Sequence, residues 1–357
     1  MKYYFAPMEG ITLYPLRNVH HEIFGDAIDK YYTPFLTAHH NYHFKKREKR
    51  DVMPEFAQGF EDYGNVIIPQ IMSNRVNTFV WAAKEMQTLG YNEINLNLGC
   101  PAATVTNRHK GSGLLQDTDY LDEFLNGIFN ELGAATSSKA TASAENNDSL
   151  SISVKTRLGF YDDSEAEELM KVYAKYPISE LTIHARVRED FYQGKPRLDA
   201  FKKAVEIYRE NGGTADICYN GDINSLDDYR NLMHFLGLSP DENTEEKPSE
   251  SIHNFCPISS VMMGRGLLAN PALARELRGG QPLQADELRE YLARLYEEYA
   301  KFIPEDRNVI FKMLEHWAFV HVHFKDNEKC LKTIRKARSK GEYMAAVNNI
   351  FASCEFI

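Results

Sequence analysis

The chain has 357 residues, which is more than one ordinary domain needs and enough for a large barrel with an added domain. Hydrophobic residues make up 43% of it, as expected for a globular protein with a sizeable core, and no run of eighteen apolar residues could span a membrane. The net charge of −10 argues against general affinity for nucleic acids, since phosphate binding needs clustered lysines and arginines.

The N-terminal residues predict a cytoplasmic protein, in which cysteines are expected to be reduced. Residues 1–7 lack the long apolar core of a signal peptide and are typical of a first strand. The five cysteines have no metal-binding spacing, so free thiols are expected.

Two segments are basic despite the acidic total. They lie at residues 45–50 and 332–340, and the second holds Lys332, Arg335, Lys336, Arg338 and Lys340 without an acidic residue. Each segment is equally compatible with a solvated helix face and with a phosphate-binding surface.

Short apolar runs alternate with helical patterns along most of the chain. Helices are predicted at 76–89, 119–132, 164–175 and 199–210. The eight strand candidates lie at 3–7, 28–36, 66–72, 93–97, 152–156, 181–184, 216–220 and 260–264. This order predicts a parallel (β/α)₈ TIM barrel. An open doubly wound sheet is the alternative, but no glycine-rich dinucleotide fingerprint follows the first strand.

The pattern also predicts where the barrel ends. Strand signals vanish near residue 283, so we expect a catalytic barrel over 1–282 and an all-helical domain over 283–357, with Pro304 separating its first two helices. Two insertions, at 133–150 and 239–254, are too polar to form a core of their own and are expected on the amino-terminal face of the barrel.

Active sites of such barrels lie at the carboxyl ends of the strands, so the residues there are candidates for function. Asn220-Gly221 and Gly264-Arg265-Gly266 end the seventh and eighth strands, where a phosphate cradle commonly forms. A phosphate-bearing ligand is therefore expected.

Three further strand ends carry polar side chains. Gln70, Lys155 and His184 beside a phosphate cradle suit a flavin, with hydrogen bonds to its pyrimidine edge and a cation near the ring. Taken singly, Lys155 is more typical of a surface lysine and His184 of a buried structural imidazole. Their combination with Gln70 beside the phosphate cradle favours the flavin instead. Cys100 lies in a sharp Gly-Cys-Pro turn after the fourth strand, where a thiol could donate a proton.

The motifs APMEGIT, QIM, NLNLGCP followed by GSGLL, VKTRLG, IHAR with a later YQG, YNGDI and MGRGLLANP extend from residue 6 to residue 271. In this order they resemble the tRNA-dihydrouridine synthases. The resemblance implies bound FMN, reduction by NADPH, and a helical domain that grips tRNA. The sequence departs from common members of the family at Asn95, Leu13 and Val187, which leaves the subfamily and the fine contacts around the flavin open.

The resemblance also implies a role for each matching residue. Cys100 corresponds to the catalytic acid, which would protonate C5 of a uridine that is extruded from the tRNA while the flavin N5 delivers a hydride to C6. Substrate binding is expected from Asn97, Arg157 and Arg186. Cofactor binding is expected from Pro7, Met8, Gln70, Lys155, His184, Asn220, Gly221, Asp222, Gly264 and Arg265.

Three other functions remain possible on the sequence alone. One is another FMN-dependent barrel oxidoreductase that acts on a small molecule, such as a dihydroorotate dehydrogenase or an ene-reductase. The second is a tRNA-binding protein without redox activity, and the third is a phosphate-binding aldolase without flavin. The sequence does not indicate which tRNA uridine is reduced, whether NADPH or NADH is preferred, or the oligomeric state.

Overall fold

The computed structural model describes residues 1–133, 150–238 and 258–357. Its strands are β1 (Lys2–Phe5), β2 (Lys30–Tyr32), β3 (Leu36–Thr37), β4 (Ile67–Ile68), β5 (Gln70–Met72), β6 (Glu93–Asn97), β7 (Ser151–Gly159), β8 (Glu180–Val187), β9 (Asp216–Asn220) and β10 (Ser260–Met263). Its α-helices are α1 (Tyr14–Phe24), α2 (Lys46–Arg50), α3 (Tyr63–Val66), α4 (Val76–Thr88), α5 (Ala103–Thr106), α6 (Thr118–Leu132), α7 (Ala166–Ala174), α8 (Leu198–Glu210), α9 (Leu226–Phe235), α10 (Arg265–Ala269), α11 (Leu273–Leu277), α12 (Ala285–Ala300), α13 (Asp306–Val320), α14 (Glu328–Lys336) and α15 (Lys340–Ser353). Short 3₁₀ helices lie at Gly25–Ala27, Pro54–Phe56, Gly111–Gln116, Asp163–Glu165 and His321–His323.

All strand pairs are parallel and form one sheet in the order β3-β5-β6-β7-β8-β9-β10-β1-β2-β4. The two ends of this order meet, because β2 and β3 are separated only by residues 33–35 and β4 and β5 only by Pro69. Each of these pairs is one interrupted strand, so the sheet closes into an eight-stranded barrel surrounded by helices. The predicted TIM barrel is confirmed.

Proline explains both interruptions. Pro34 and Pro69 have no backbone N–H to donate to a neighbouring strand, which breaks the ladder locally. The hydroxyl of Thr33 accepts a hydrogen bond from the Gln70 N–H at 3.0 Å and so bridges the two breaks. The predicted strands at 28–36 and 66–72 are therefore present but divided.

The four predicted helices are observed as α4, α6, α7 and α8, each within two residues of the expected bounds. α6 shows how the sequence sets such bounds. The Asp117 carboxylate caps its first turn by accepting the Tyr120 N–H at 2.9 Å, and Gly133 ends it in a left-handed conformation with φ of 57°.

The amino-terminal end of the barrel interior is closed by a buried polar cluster. The Glu180 carboxylate accepts hydrogen bonds from the hydroxyls of Tyr4 at 2.6 Å and Tyr32 at 2.7 Å, and Lys30 lies 3.5 Å from it. Burial raises the pKa of Glu180, while Lys30 opposes that shift. This cluster fills the amino-terminal end of the barrel interior with paired polar side chains.

The chain after residue 283 is helical, as predicted, and Pro304 lies between α12 and α13. These helices pack on the barrel and continue its apolar core. The Tyr14 ring on α1 contacts the Phe302 ring, with centroids 5.5 Å apart, and the Lys312 ammonium donates to the carbonyl of Gly10. The loop of the first strand is thus held directly by the C-terminal helices.

None of the helices in the described ranges is long and apolar enough to cross a membrane. The insertions predicted at 133–150 and 239–254 lie almost entirely outside the described residues.

Candidate active site

A cavity of about 420 Å³ opens at the carboxyl ends of the barrel strands. Every predicted site residue except Arg186 contributes to its lining: Pro7, Met8, Gln70, Asn97, Cys100, Lys155, Arg157, His184, Asn220, Gly221, Asp222, Gly264 and Arg265. The structure therefore brings together, in one place, residues that come from seven of the eight strands.

The backbone of Cys100 is held from both sides. Its N–H donates to the Asn97 side-chain oxygen at 3.0 Å, and its carbonyl accepts from the Ser112 hydroxyl at 2.8 Å. Gly111 packs directly against it with φ of +56°, and a Cβ at position 111 would lie 2.9 Å from the Cys100 carbonyl oxygen. The loop that carries the GSGLL motif therefore fixes the position of the thiol.

The thiol itself is half-buried and lines the cavity. Burial raises the pKa of the Cys100 thiol. The nearby backbone, Arg157 and Lys155 lower it by a smaller amount, so the pKa lies above its usual value. The group is consequently protonated at neutral pH, which suits a proton donor and not a nucleophile.

A chain of side-chain amides orients the polar wall of the cavity. The Asn97 oxygen accepts the N–H groups of Gly99 and Cys100, so its nitrogen must be the end that donates to the Gln70 oxygen, at 2.6 Å. The Gln70 nitrogen in turn donates to the Asn95 oxygen at 2.8 Å. Because the backbone N–H groups can only donate, the orientation of each amide follows from the turn at Cys100.

Lys155 is one of the basic side chains in the cavity wall, with Arg157 and Arg265. Its ammonium donates to the Asn220 side-chain oxygen at 2.7 Å, and no carboxylate among the described residues forms an ion pair with it. Burial, together with repulsion from Arg157, lowers the pKa of Lys155 to about 7. An anion bound in the cavity would restore the charged form.

Arg186 does not line the cavity. Its side chain is fully buried and donates to the backbone carbonyls of Gln193 and Gly194, at 3.0 and 2.6 Å, and to both carboxylate oxygens of Asp222. It also donates to Nε2 of His184 at 3.2 Å. Arg186 is thus placed to hold Asp222 and His184.

These contacts define the state of His184. Burial and four surrounding cations lower the pKa of His184 well below its usual value, so the ring is neutral. Since the Arg186 guanidinium can only donate, Nε2 accepts and Nδ1 carries the hydrogen. His184 therefore offers an N–H donor to the cavity.

The other end of the cavity carries net positive charge. Asp222 accepts hydrogen bonds from both Arg186 and Arg265, and these outweigh the effect of burial and lower its pKa. The Asp222 carboxylate neutralises one of the two guanidinium charges, so these three side chains together carry one net positive charge. A Cβ at Gly264 would lie 3.3 Å from the Met8 sulfur and 3.4 Å from the Ala6 Cβ, so glycine keeps the backbone beside Arg265 uncrowded.

Glu9, Phe35 and Tyr192 are among the residues of the cavity that were not predicted from the sequence. Glu9 and Tyr192 lie inside motifs already noted, APMEGIT and YQG, which was the signal available in the sequence. The Tyr192 ring lies over the Arg157 guanidinium, 5.6 Å from its centroid.

A second cavity adjoins the first and shares Glu9, Pro34 and Phe35 with it. It lies between the mouth of the barrel and the C-terminal helices. Three cationic residues contribute to its lining, Arg47, Arg50 and Lys312.

A closed parallel barrel with one such cavity at the carboxyl ends of its strands defines a (β/α)₈-barrel enzyme. The profile of the family described as dihydrouridine synthase (Dus) matches residues 4–239. The chain belongs to the dihydrouridine synthase family.

Curated relatives agree with this assignment. The tRNA-dihydrouridine(16) synthase of Neisseria meningitidis serogroup B is 26% identical over 300 residues, which cover 82% of this chain and 77% of the relative. The probable tRNA-dihydrouridine synthase of Staphylococcus aureus is 25% identical over 303 residues, covering 83% and 77%.

Proposed function

We propose that this protein reduces a uridine of tRNA to 5,6-dihydrouridine in the cytoplasm, with FMN as the bound cofactor and NADPH as the reductant. The observation that carries the proposal is the position of the Cys100 thiol, which shares one cavity with the Lys155 side chain and the amides of Gln70 and Asn97. Membership of the family and the names of the curated relatives support the substrate.

The residues of the cavity fit FMN. The polar edge of the flavin ring would form hydrogen bonds with the Gln70 amide, the His184 N–H and the Lys155 ammonium. Pro7 and Met8 would pack against an apolar face of the ring. The surplus positive charge at Arg265, beside Asn220, Gly221 and Gly264, would hold the phosphate. Asp222 would act by fixing Arg265 and Arg186. When bound, FMN supplies the hydride that the uracil C6 receives.

The protein's own chemistry in this reaction is proton donation. A base stacked in RNA cannot reach the bottom of the cavity, so the uridine must be extruded. Cys100, fixed by Asn97 and Ser112, would then give its proton to C5. The Asn97 side chain donates one of its two N–H groups to Gln70, so the other would be available to the uracil. Arg157 donates through Nε and Nη1 to backbone carbonyls, so its Nη2 would be available as well. We assign Arg186 a positioning role instead of the direct substrate contact expected from the sequence.

The wild-type protein tests this proposal against the other functions. Purified holoprotein should absorb near 450 nm and, with NADPH, form dihydrouridine in unmodified tRNA, measured by mass spectrometry of nucleosides. Free uridine or dihydroorotate turning over faster than tRNA would favour a small-molecule oxidoreductase. A colourless protein that takes up no FMN would refute the assignment.

Gly111 offers a test of the thiol's position. Gly111→Ala adds a Cβ that would lie 2.9 Å from the Cys100 carbonyl oxygen, so the turn must shift and uridine reduction should fall by about 10- to 100-fold. Gly212→Ala is the matched control, because Gly212 also has a positive φ (+86°) but nothing within 4 Å of its would-be Cβ. Equal loss in both variants would show that backbone strain alone is responsible.

We propose that residues 283–357 form the tRNA-binding unit, together with the basic segment of α2. On and after α14, Lys332, Arg335, Lys336 and Arg338 have exposed or half-exposed positions and form no ion pair within the described chain, whereas Lys340 pairs with Glu297 at 2.7 Å. α2 lies beside the second cavity, where Arg47 and Arg50 line it. These cations would follow the phosphate backbone.

The salt dependence of tRNA binding checks this placement. The triple variant Lys332→Gln, Arg335→Gln, Lys336→Gln should reduce the slope of log K against log salt by about two to three units, at roughly 0.7–0.9 per lost phosphate contact. A control triple, Lys84→Gln, Lys202→Gln, Lys203→Gln, removes the same charge from exposed positions on α4 and α8. The same change of slope in both would place the tRNA elsewhere.

A further inference from the structure

Two neighbouring loops at the carboxyl ends of β7 and β8 expose large aromatic side chains. Tyr161 is 63% exposed, Phe191 40% and Tyr192 56%. In the described ranges these are three of the nine large hydrophobic residues that are exposed. Tyr192 lines the cavity, but nothing in the reaction derived above uses Tyr161 or Phe191. We call these two residues, with Arg188 between them, the aromatic shelf.

The shelf is built rigidly. The Arg188 N–H donates to the carbonyl of Gly159 at 2.9 Å, which ties the β8 loop to the end of β7, and the Glu189 N–H donates to Phe160 at 3.1 Å. The Arg188 guanidinium lies 5.0 Å from the Phe160 ring centroid and 4.8 Å from that of Phe191. Phe160 is buried beneath Tyr161, with ring centroids 4.6 Å apart.

Phe191 is held in an unfavourable backbone conformation. Its φ is +50°, which is rare for a bulky residue. The Arg157 guanidinium, which also donates to the Gly99 carbonyl next to Cys100, donates to the Phe191 carbonyl at 2.9 Å. One side chain therefore links the turn of the thiol to the residue that presents the Phe191 ring to solvent. Backbone strain of this kind persists only where surrounding contacts hold the residue in place, and it is most common at functional sites.

We propose that the aromatic shelf stacks the unpaired bases that flank the target uridine; this inference rests on the proposed function. Exposed aromatic rings are a surface that single-stranded nucleic acid prefers, because every base has a face that can stack. Arg188 supports the rings from below, since its side chain is only 13% exposed and pairs with Glu189 at 2.6 Å. The shelf adjoins the cavity that takes the extruded base, through Tyr192 and Arg157. Two rings are too small a surface for a stable protein partner, which typically covers about 800 Å² per side.

Stacking on the shelf would hold the strand open while its uridine lies in the cavity. It also predicts little sequence preference at the flanking positions, because stacking reads no base edges. The shelf would thus act on binding and extrusion of the substrate and leave cofactor chemistry unchanged.

The test uses the FMN-loaded protein and a tRNA that carries 2-aminopurine next to the target uridine. In the double variant Tyr161→Ala, Phe191→Asn, affinity should fall by about 5- to 100-fold and the 2-aminopurine should no longer be quenched, while FMN content and NADPH oxidation stay unchanged. Asn is chosen because it tolerates positive φ. The slope of log K against log salt should also stay at the wild-type value, since no phosphate contact is removed.

Two further variants keep the result interpretable. Tyr161→Phe retains the ring and should behave as wild type. Tyr120→Ala removes an exposed aromatic on α6, outside both the cavity and residues 283–357, and should leave the quenching intact. Wild-type quenching in the double variant, or the same loss in Tyr120→Ala, would overturn the shelf. Absence of dihydrouridine with the wild-type protein would instead refute the proposed function.

Discussion

Replacing Cys100 with alanine should lower the rate of uridine reduction by about 10²- to 10⁴-fold, the usual contribution of a positioned general acid. FMN content and the oxidation of NADPH should stay at wild-type values, because the Cys100 contacts that shape the cavity are made by its backbone. Single-turnover measurement of dihydrouridine formation by the pre-reduced protein isolates this step.

The matched control removes another half-buried thiol. Cys354 lies at the end of α15, and its sulfur contacts that of Cys330, outside the cavity. Cys354→Ala should therefore reduce uridine at the wild-type rate. Undiminished activity of Cys100→Ala would remove the thiol from the mechanism and leave water or another residue as the proton donor.

Binding of FMN at pH 8 should take up about one proton. The pKa of Lys155 in the free protein is about 7, so at pH 8 the side chain is mostly neutral, whereas an anionic ligand favours its charged form. Above pH 7 the affinity for FMN should therefore fall, by about tenfold per pH unit at most, until the pKa of Lys155 in the complex is reached. Below pH 7 the lysine is already charged and contributes no such dependence.

Calorimetry of FMN binding to the apoprotein in two buffers of different ionisation enthalpy measures the proton uptake. Lys155→Met should abolish it and weaken binding at pH 7, while Lys171→Met, on the exposed face of α7, should change neither. His184 does not obscure the result, because its low pKa keeps it neutral throughout. Proton uptake that persists in Lys155→Met would assign the titration to another group.

The pattern of the sequence was sufficient for the barrel and for most of its cavity. Parallel strands that alternate with helices close in only a few ways, and their carboxyl ends meet on one face. Alternate side chains of a strand point to the same face of the sheet. Asn95 and Asn97 therefore both face the barrel interior, and so do Lys155 and Arg157. Residues chosen at seven separate strand ends therefore converge without any knowledge of distances.

The tertiary structure decided what each of these residues can reach. Arg186 has the same inward register as His184, yet contacts with Asp222 and the loop at residues 193–194 withdraw its guanidinium from the cavity. The aromatic shelf was equally invisible, since burial of Phe160 and exposure of Tyr161 depend on how two loops pack.

The sequence by itself thus determined the barrel, the family and the residues at the strand ends, because periodicity and motif order are local properties of the chain. Only the tertiary structure decided the closure across Pro34 and Pro69, the protonation of Cys100 and Lys155, and the packing of the C-terminal helices against the barrel. These depend on burial and on partners distant in the chain, which no local pattern encodes.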